Sequence, residues 1–461
     1  MTTRPPLSIQ STPRLTRVLG GAAVLLLTSA AHAQEAAPAP APAAEPAPAP
    51  EPAKPAEASG GLSFGFSSSD GASADADASA SAPEGAAPAA EDAGEPQVSE
   101  AGPLGQMSFM AFVDANYAYS TSRSGSAQPV HRAYETNTGD FATHNGFNLS
   151  WFGVDVGYET GDIWEGGTVG ATGSLRFGSA VPVYMAGNAT DLGIENLTQA
   201  YATWKPNPCW TLDFGQFNTI YGGEVTESWK NLNYTRGGLY YLMQPFFHTG
   251  LRASYALNDD LTFTGLVVNG VNNVVDTNGS PSVGLQVSHS GENHLVSAGY
   301  LGALGPKSDH GNFDNFFDLV GALYIDKLTL MLNADLAFSV FRDIDTDTAG
   351  RIIRVVDTPT YGGVALTAGY QFTPQFGAAV RGEFLQDTHN RLYRFRRDKR
   401  VNLTTATLTF DVKPVEGADN FVIRWDNRLE VSNHEVFSTK KGNSTEKYFE
   451  SVVGVVVHTN D

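Results

Sequence analysis

From Gln106 to Asp461 the chain alternates apolar and polar positions in segments of about ten residues, the length of a tilted membrane-crossing strand. "GLRASYALNDDLTFTGLVVNG", Gly250 to Gly270, shows the unit. Leu251, Ala253 and Tyr255 alternate with Arg252 and Ser254. Asn258-Asp259-Asp260 makes a break, and Leu261, Phe263 and Val267 then alternate with Thr262 and Thr264. Period two on both sides of a tight turn predicts a β-hairpin. In "LTLMLNADLAF", Leu328, Leu330, Leu332, Ala334, Leu336 and Phe338 share one face, and Thr329, Asn333 and Asp335 share the other. In "FVIRWDNRLE", Phe421, Ile423, Trp425 and Leu429 oppose Arg424, Asp426, Arg428 and Glu430. Nowhere in this region does the period become helical.

The breaks sort by length. Long ones are expected near 121–145, 178–193, 218–247, 271–281, 304–315, 341–358, 388–400 and 432–445. Short ones fall near 160–164, 206–209, 258–260, 290–293, 326–327, 373–375 and 414–420. Eight long and seven short breaks separate sixteen strands. An even strand number, with one long-looped edge and one short-turned edge, predicts an all-β fold: a transmembrane antiparallel up-and-down β-barrel of the bacterial outer membrane. Aromatics at strand ends, Trp204, Trp210, Phe372 and Phe376, fit an interfacial girdle. The apolar face is then expected to meet lipid, with Leu251 and Phe263 outward and Arg252 toward the lumen. At sixteen strands a barrel leaves a water channel.

The N-terminus carries an address. Arg4, Arg14 and Arg17 precede "VLGGAAVLLLTSA" and Ala31-His32-Ala33, the layout of a secretory signal peptide over residues 1–33. That apolar run is too short for a membrane helix, and no later window is long enough. Residues 34–105 are Pro/Ala-rich and then Gly/Ser/Asp-rich, with twelve acids against Lys54 alone. Such a segment has too little apolar mass to pack and is expected to be a disordered periplasmic tether, long enough to reach peptidoglycan or a periplasmic protein. The barrel domain is assigned to 106–461.

The chain's formal net charge is −20, which disfavours nucleic acid as a partner. The expected partners are outer-membrane lipid and lipopolysaccharide, small solutes or ions, and further copies of the chain in a homotrimer. Cys209, the one cysteine, cannot form an intramolecular disulfide. "DIDTDTAGR", Asp343 to Arg351, lacks the sixth-position glycine and twelfth-position glutamate of a calcium loop. "RLYRFRRDKR", Arg391 to Arg400, is a basic run suited to lipopolysaccharide or anionic solutes. No motif of a phosphate loop, serine hydrolase or zinc protease is present, and neither a cofactor, a metal nor an enzymatic activity is expected.

The longest break, Asn218 to Phe247, exceeds ordinary loop lengths and is expected to be functional. It carries Glu224, Glu227, Lys230 and Arg236, while Arg176, Arg252, Arg381, Arg424 and Arg428 have inward parity on the wall. By analogy with general diffusion porins, this loop is expected to fold into the lumen. Its Glu224, Glu227 and Arg236 would then form a charged constriction with the five wall arginines.

Within Leu212 to Gly270 the chain resembles the OmpL-like β-barrel porin family. The resemblance rests on Gly215-Gln216-Phe217, Tyr221-Gly222-Gly223-Glu224, Asn233-Tyr234-Thr235-Arg236 and Pro245-Phe246-Phe247-His248-Thr249-Gly250-Leu251-Arg252. It covers about sixty residues and implies an outer-membrane porin. One departure is the ending "VVGVVVHTND", where many outer-membrane barrels have an aromatic residue. The expected function is passive diffusion of small hydrophilic solutes or ions. The alternative is a structural barrel that anchors the envelope through its tether.

Overall fold

The computed structural model describes residues 106–121, 145–160, 167–185, 193–276, 279–303, 313–346, 352–357, 360–388, 400–441 and 443–459. Residues 1–105, most of the basic run at 391–399 and the end of the calcium-like run lie outside the described residues.

The strands are β1 Gln106–Ser120, β2 Gly146–Glu159, β3 Thr168–Phe177, β4 Leu197–Asn207, β5 Trp210–Asn218, β6 Phe247–Ala256, β7 Leu261–Val268 and β8 Ser282–Gly291. They continue with β9 His294–Ala303, β10 Phe313–Ile325, β11 Leu328–Thr346, β12 Ile352–Asp357, β13 Thr360–Thr373, β14 Phe376–Asp387, β15 Val401–Val412 and β16 Phe421–Ser432. Two-residue strands, β17 Phe437–Ser438 and β18 Ser444–Thr445, form a separate ribbon within the eighth long loop, and β19 Lys447–His458 follows. Every pairing is antiparallel, and β1 pairs with both β2 and β19. With β12, β17 and β18 set aside, sixteen strands close on themselves.

The long and short breaks fall where the alternation predicts, with one difference. Part of the sixth long break is ordered: β11 runs on to Thr346 and pairs with β12. The β-branched run "IIRVV" explains this, since such residues favour an extended, paired backbone. The closing register is fixed by Phe112 opposite His458 and Ser120 opposite Glu450.

Leu251, Phe263, Leu332 and Leu336 are exposed on the outside, while Arg252, Asn333 and Asp335 turn inward. The outward positions of most strands are large and apolar, and Trp204, Trp210, Phe372 and Phe376 lie exposed beside the short turns. No helix among the described residues is long and apolar enough to cross a membrane, so crossing falls to the strands.

The inside is more densely packed than strand number alone would give. Three apolar clusters lie within the barrel. One joins Phe217, Ile220, Tyr221, Leu239 and Met243 to wall residues Leu266, Leu301, Leu385 and Leu403. A second joins Phe112 and Trp151 to α1 (Val181–Tyr184), Tyr240 and Phe246. The third sets Tyr234 against Val422, Val452 and Val456. All three include residues of the third long loop.

Candidate functional site

Residues 219–246, between β5 and β6, form the third loop, and the loop is buried along most of its length. Its sequence dictates this. Ile220, Tyr221, Leu239, Met243 and Phe246 are apolar residues on a segment that would otherwise be surface, and folding inward takes them out of water at about 1.5–3 kcal/mol per large side chain. A 3-10 turn at Ser228–Lys230 and the short helix α2, Gly238–Leu242, satisfy part of its backbone.

The remaining backbone groups are met by the wall. Gly223 N–H donates to Asn333 Oδ1 of β11 at 3.0 Å. The Arg424 guanidinium donates to the Ser228 carbonyl and, at 2.9 Å, to that of Leu232. Arg381 donates to the Thr235 carbonyl at 2.8 Å, and Arg428 donates to that of Arg236 at 2.6 Å. A guanidinium suits this task, because its fork offers five donors and always carries charge.

Side chains add a second layer. Arg176 of β3 bridges Asp155 of β2 at 2.6 Å and loop residue Glu227 at 2.8 Å. Arg381 of β14 contacts Glu224 of the loop and Glu383 of its own strand. Tyr234 donates to Asp114 Oδ1 at 2.6 Å, and Ser228 donates to Asp114 Oδ2 at 2.6 Å. Thr235 donates to Asp426 at 2.9 Å, and Asn233 donates to Thr409 at 2.7 Å. The loop therefore touches β1, β3, β11, β14, β15 and β16, spanning the lumen from its own strands to the opposite wall. Wall glycines make room for it: a Cβ at Gly454 of β19 would collide with the Tyr234 ring.

Each residue expected at the constriction has a defined place. Arg176, Arg381, Arg424 and Arg428 are buried behind the loop and hold it. Glu224 and Glu227 are the loop's acidic contacts with Arg381 and Arg176. Arg236 is itself buried in the loop, its guanidinium donating to the Tyr234 carbonyl at 3.0 Å. Arg252 pairs with Asp213 at 2.8 Å and stacks on Phe217, 4.7 Å from the ring centre. Burial pushes both loop glutamates up. At Glu227 the Arg176 charge and Lys230 outweigh burial, and its carboxyl is held below the usual range. At Glu224 burial, assisted by Glu383, outweighs Arg381, and its carboxyl is raised.

Sequence reading placed Asp335, Asp426 and Glu430 on the polar face but left every wall acid out of the expected constriction. Among the described residues the strands turn twelve carboxylates inward: Asp114, Asp155, Glu159, Asp213, Asp318, Asp335, Glu383, Asp387, Asp411, Asp426, Glu430 and Glu450. Six cations oppose them: Arg176, Lys205, Arg252, Arg381, Arg424 and Arg428. The same alternation that marked the arginines carried this signal. Toward the short turns, wall carboxylates keep an exposed edge. Asp155 and Asp411 are 22% and 28% exposed, whereas their partners Arg176 and Arg424 are each 3% exposed.

The architecture has solved counterparts. OmpT of Vibrio cholerae, in a trimer form, superposes with a TM-score of 0.52 at 10% identity, covering 77% of this chain and 100% of that one. The outer membrane channel DcaP of Acinetobacter baumannii superposes with a TM-score of 0.50 at 13% identity, covering 77% and 97%. At such identities the likeness is one of fold. No curated protein sequence matches the chain. The family described as "Putative beta-barrel porin-2, OmpL-like" matches residues 106–458, nearly the whole barrel, and the chain belongs to that family of outer-membrane porins.

Proposed function

We propose that this porin passes small hydrophilic cations by passive diffusion, with the third loop setting the narrowest point. The observation that carries the reading is the excess, among the described residues, of inward carboxylates over inward cations. Charged rings lining a pore select the opposite charge at close range. Arg176, Arg381, Arg424 and Arg428 act as anchors that hold the loop through Glu224, Glu227 and backbone carbonyls. Arg236 and Arg252 brace the loop's middle and base. Asp155 and Asp411 meet the permeating ion on the periplasmic side, where their carboxylates are wet.

Planar-bilayer recording across a salt gradient tests this reading. A reversal potential on the cation side is expected, and one on the anion side would refute the assignment. Outside the pore, the outer face contacts lipid, and the long loops are placed to meet lipopolysaccharide. Residues 34–105 would reach peptidoglycan or a periplasmic protein. The trimer form of the OmpT neighbour supports a homotrimer for this chain. The second reading, a structural barrel anchored by its tether, is favoured by how fully the third loop occupies the lumen. The same recordings separate the two, since a permanently plugged barrel gives no current steps.

A further inference from the structure

The outward face of the barrel is apolar on most strands, but one sector departs from this. On β14 and β15, Gln386 donates to Asn402 at 3.0 Å. On β16 and β19, Trp425 Nε1 donates to Ser451 Oγ at 3.1 Å, and Ser451 donates to Asn427 Oδ1 at 2.9 Å. Asn427 and Ser451 are register partners, and Ser451 also faces Tyr119 of β1. Between them, Gly382, Thr404 and Ala406 form a small or hydroxylic outward patch flanked by Phe384, Leu429 and Val431. Next to this sector, a groove of about 350 Å³ opens where Gly362 lies between Leu336 and Phe384.

Asn427 sits at the middle of its strand, Phe421–Ser432, at the depth where acyl chains are driest. Its Oδ1 is engaged by Ser451, and among the described residues no hydrogen bond engages its Nδ2. An amide has two donors there, and hydrocarbon supplies no acceptor. Polar groups at this depth are costly and usually find a protein partner. Small residues beside them let a neighbouring backbone approach closely, the combination that joins membrane segments to each other.

We propose that the outer face of β14, β15, β16, β19 and β1, centred on Asn427, is a subunit interface occupied by a second copy of this chain. This rests on the homotrimer reading and deepens it by naming the face. Asn427 donates across the interface, and the small positions at Gly382 and Ala406 seat the partner's wall.

The test uses the folded porin with Cys209→Ser, which removes the native thiol. Nitroxide labels are placed at Leu429→Cys, the outward position next to Asn427, and, as a lipid-facing reference, at Leu332→Cys. Oligomeric mass is measured in detergent, and oxygen accessibility of each label in phosphatidylcholine vesicles. The expected result is an oligomer in which position 429 is shielded and position 332 is open. Asn427→Leu is expected to raise the monomer-to-oligomer ratio about tenfold, the scale of one hydrogen bond between membrane segments. An intact oligomer with 429 as accessible as 332 overturns the interface and leaves the homotrimer standing, as does an unchanged ratio in the folded leucine variant. A wild-type monomer overturns both. The accessibility measurement stands even where the leucine variant fails to fold.

Discussion

The lumen wall behind the third loop and the lumen wall below it are built from the same strands, yet they treat charge in opposite ways. Behind the loop, Arg381 and Arg428 are fully buried, and their donors are spent on Glu224, Glu383, Glu430 and loop carbonyls. Below it, Asp155 and Asp411 keep a wet edge while their arginines are covered. Where water is excluded, charge serves to position the loop, and where water remains, charge is available to a passing ion. The reason is dielectric: the same ion pair is strong and costly to break in a dry setting and weakly felt in a wet one.

The largest effect is expected behind the loop. Arg381→Ala strands Glu224 and Glu383 without their cation, at about 3–5 kcal/mol. Its unfolding midpoint in denaturant should fall, and its single-channel conductance should rise as the loop loosens. An unchanged conductance would mean that the loop does not set the narrowest point. Next comes the lipid side of the same wall. Leu332→Arg puts a charge toward hydrocarbon, at about 2–4 kcal/mol near mid-depth, read as weaker folding into vesicles. Asn333 is its inward neighbour, so full tolerance at 332 would argue against the assigned faces. Gly454→Val would drive Tyr234 off the wall, with a loss of about 1–3 kcal/mol for an overpacked site and an altered conductance. Below the loop the change should be electrical and leave the fold intact. Asp155→Asn, which leaves Arg176 its second carboxylate partner Glu227, is expected to lower the cation-to-anion permeability ratio about two- to fivefold, the scale of one unit charge a few ångströms away in water. Smallest of all is the Lys205–Glu159 pair at the wet rim: Lys205→Gln should change stability by under about 1 kcal/mol.

Much of this was legible in the chain. Alternation of Leu332 with Asn333 and of Trp425 with Arg424 gives each side chain a face, and a one-residue slip would invert every one of them. The inward parity of Arg176, Arg381, Arg424 and Arg428 was readable in the same way. Their partners were not. Arg381 meets Glu224 157 positions away, and Arg424 meets the Ser228 carbonyl 196 positions away. No local pattern encodes contacts of that separation. The acid excess was readable in principle, since Asp318, Asp335 and Glu450 share the arginines' parity. The arginines stood out only because they are the rarer sign.

The amino-acid order alone determined the strand number, the two edges of the barrel and which residues face lipid, because membrane and water impose period two on every segment independently. Tertiary structure decided how much of the bore remains open. That depends on residues 219–246 crossing from β5 to the far wall, where glycines make room and guanidinium groups receive their carbonyls. Such an outcome follows from shape and charge meeting across a closed sheet, and those meetings exist only once β1 has found β19.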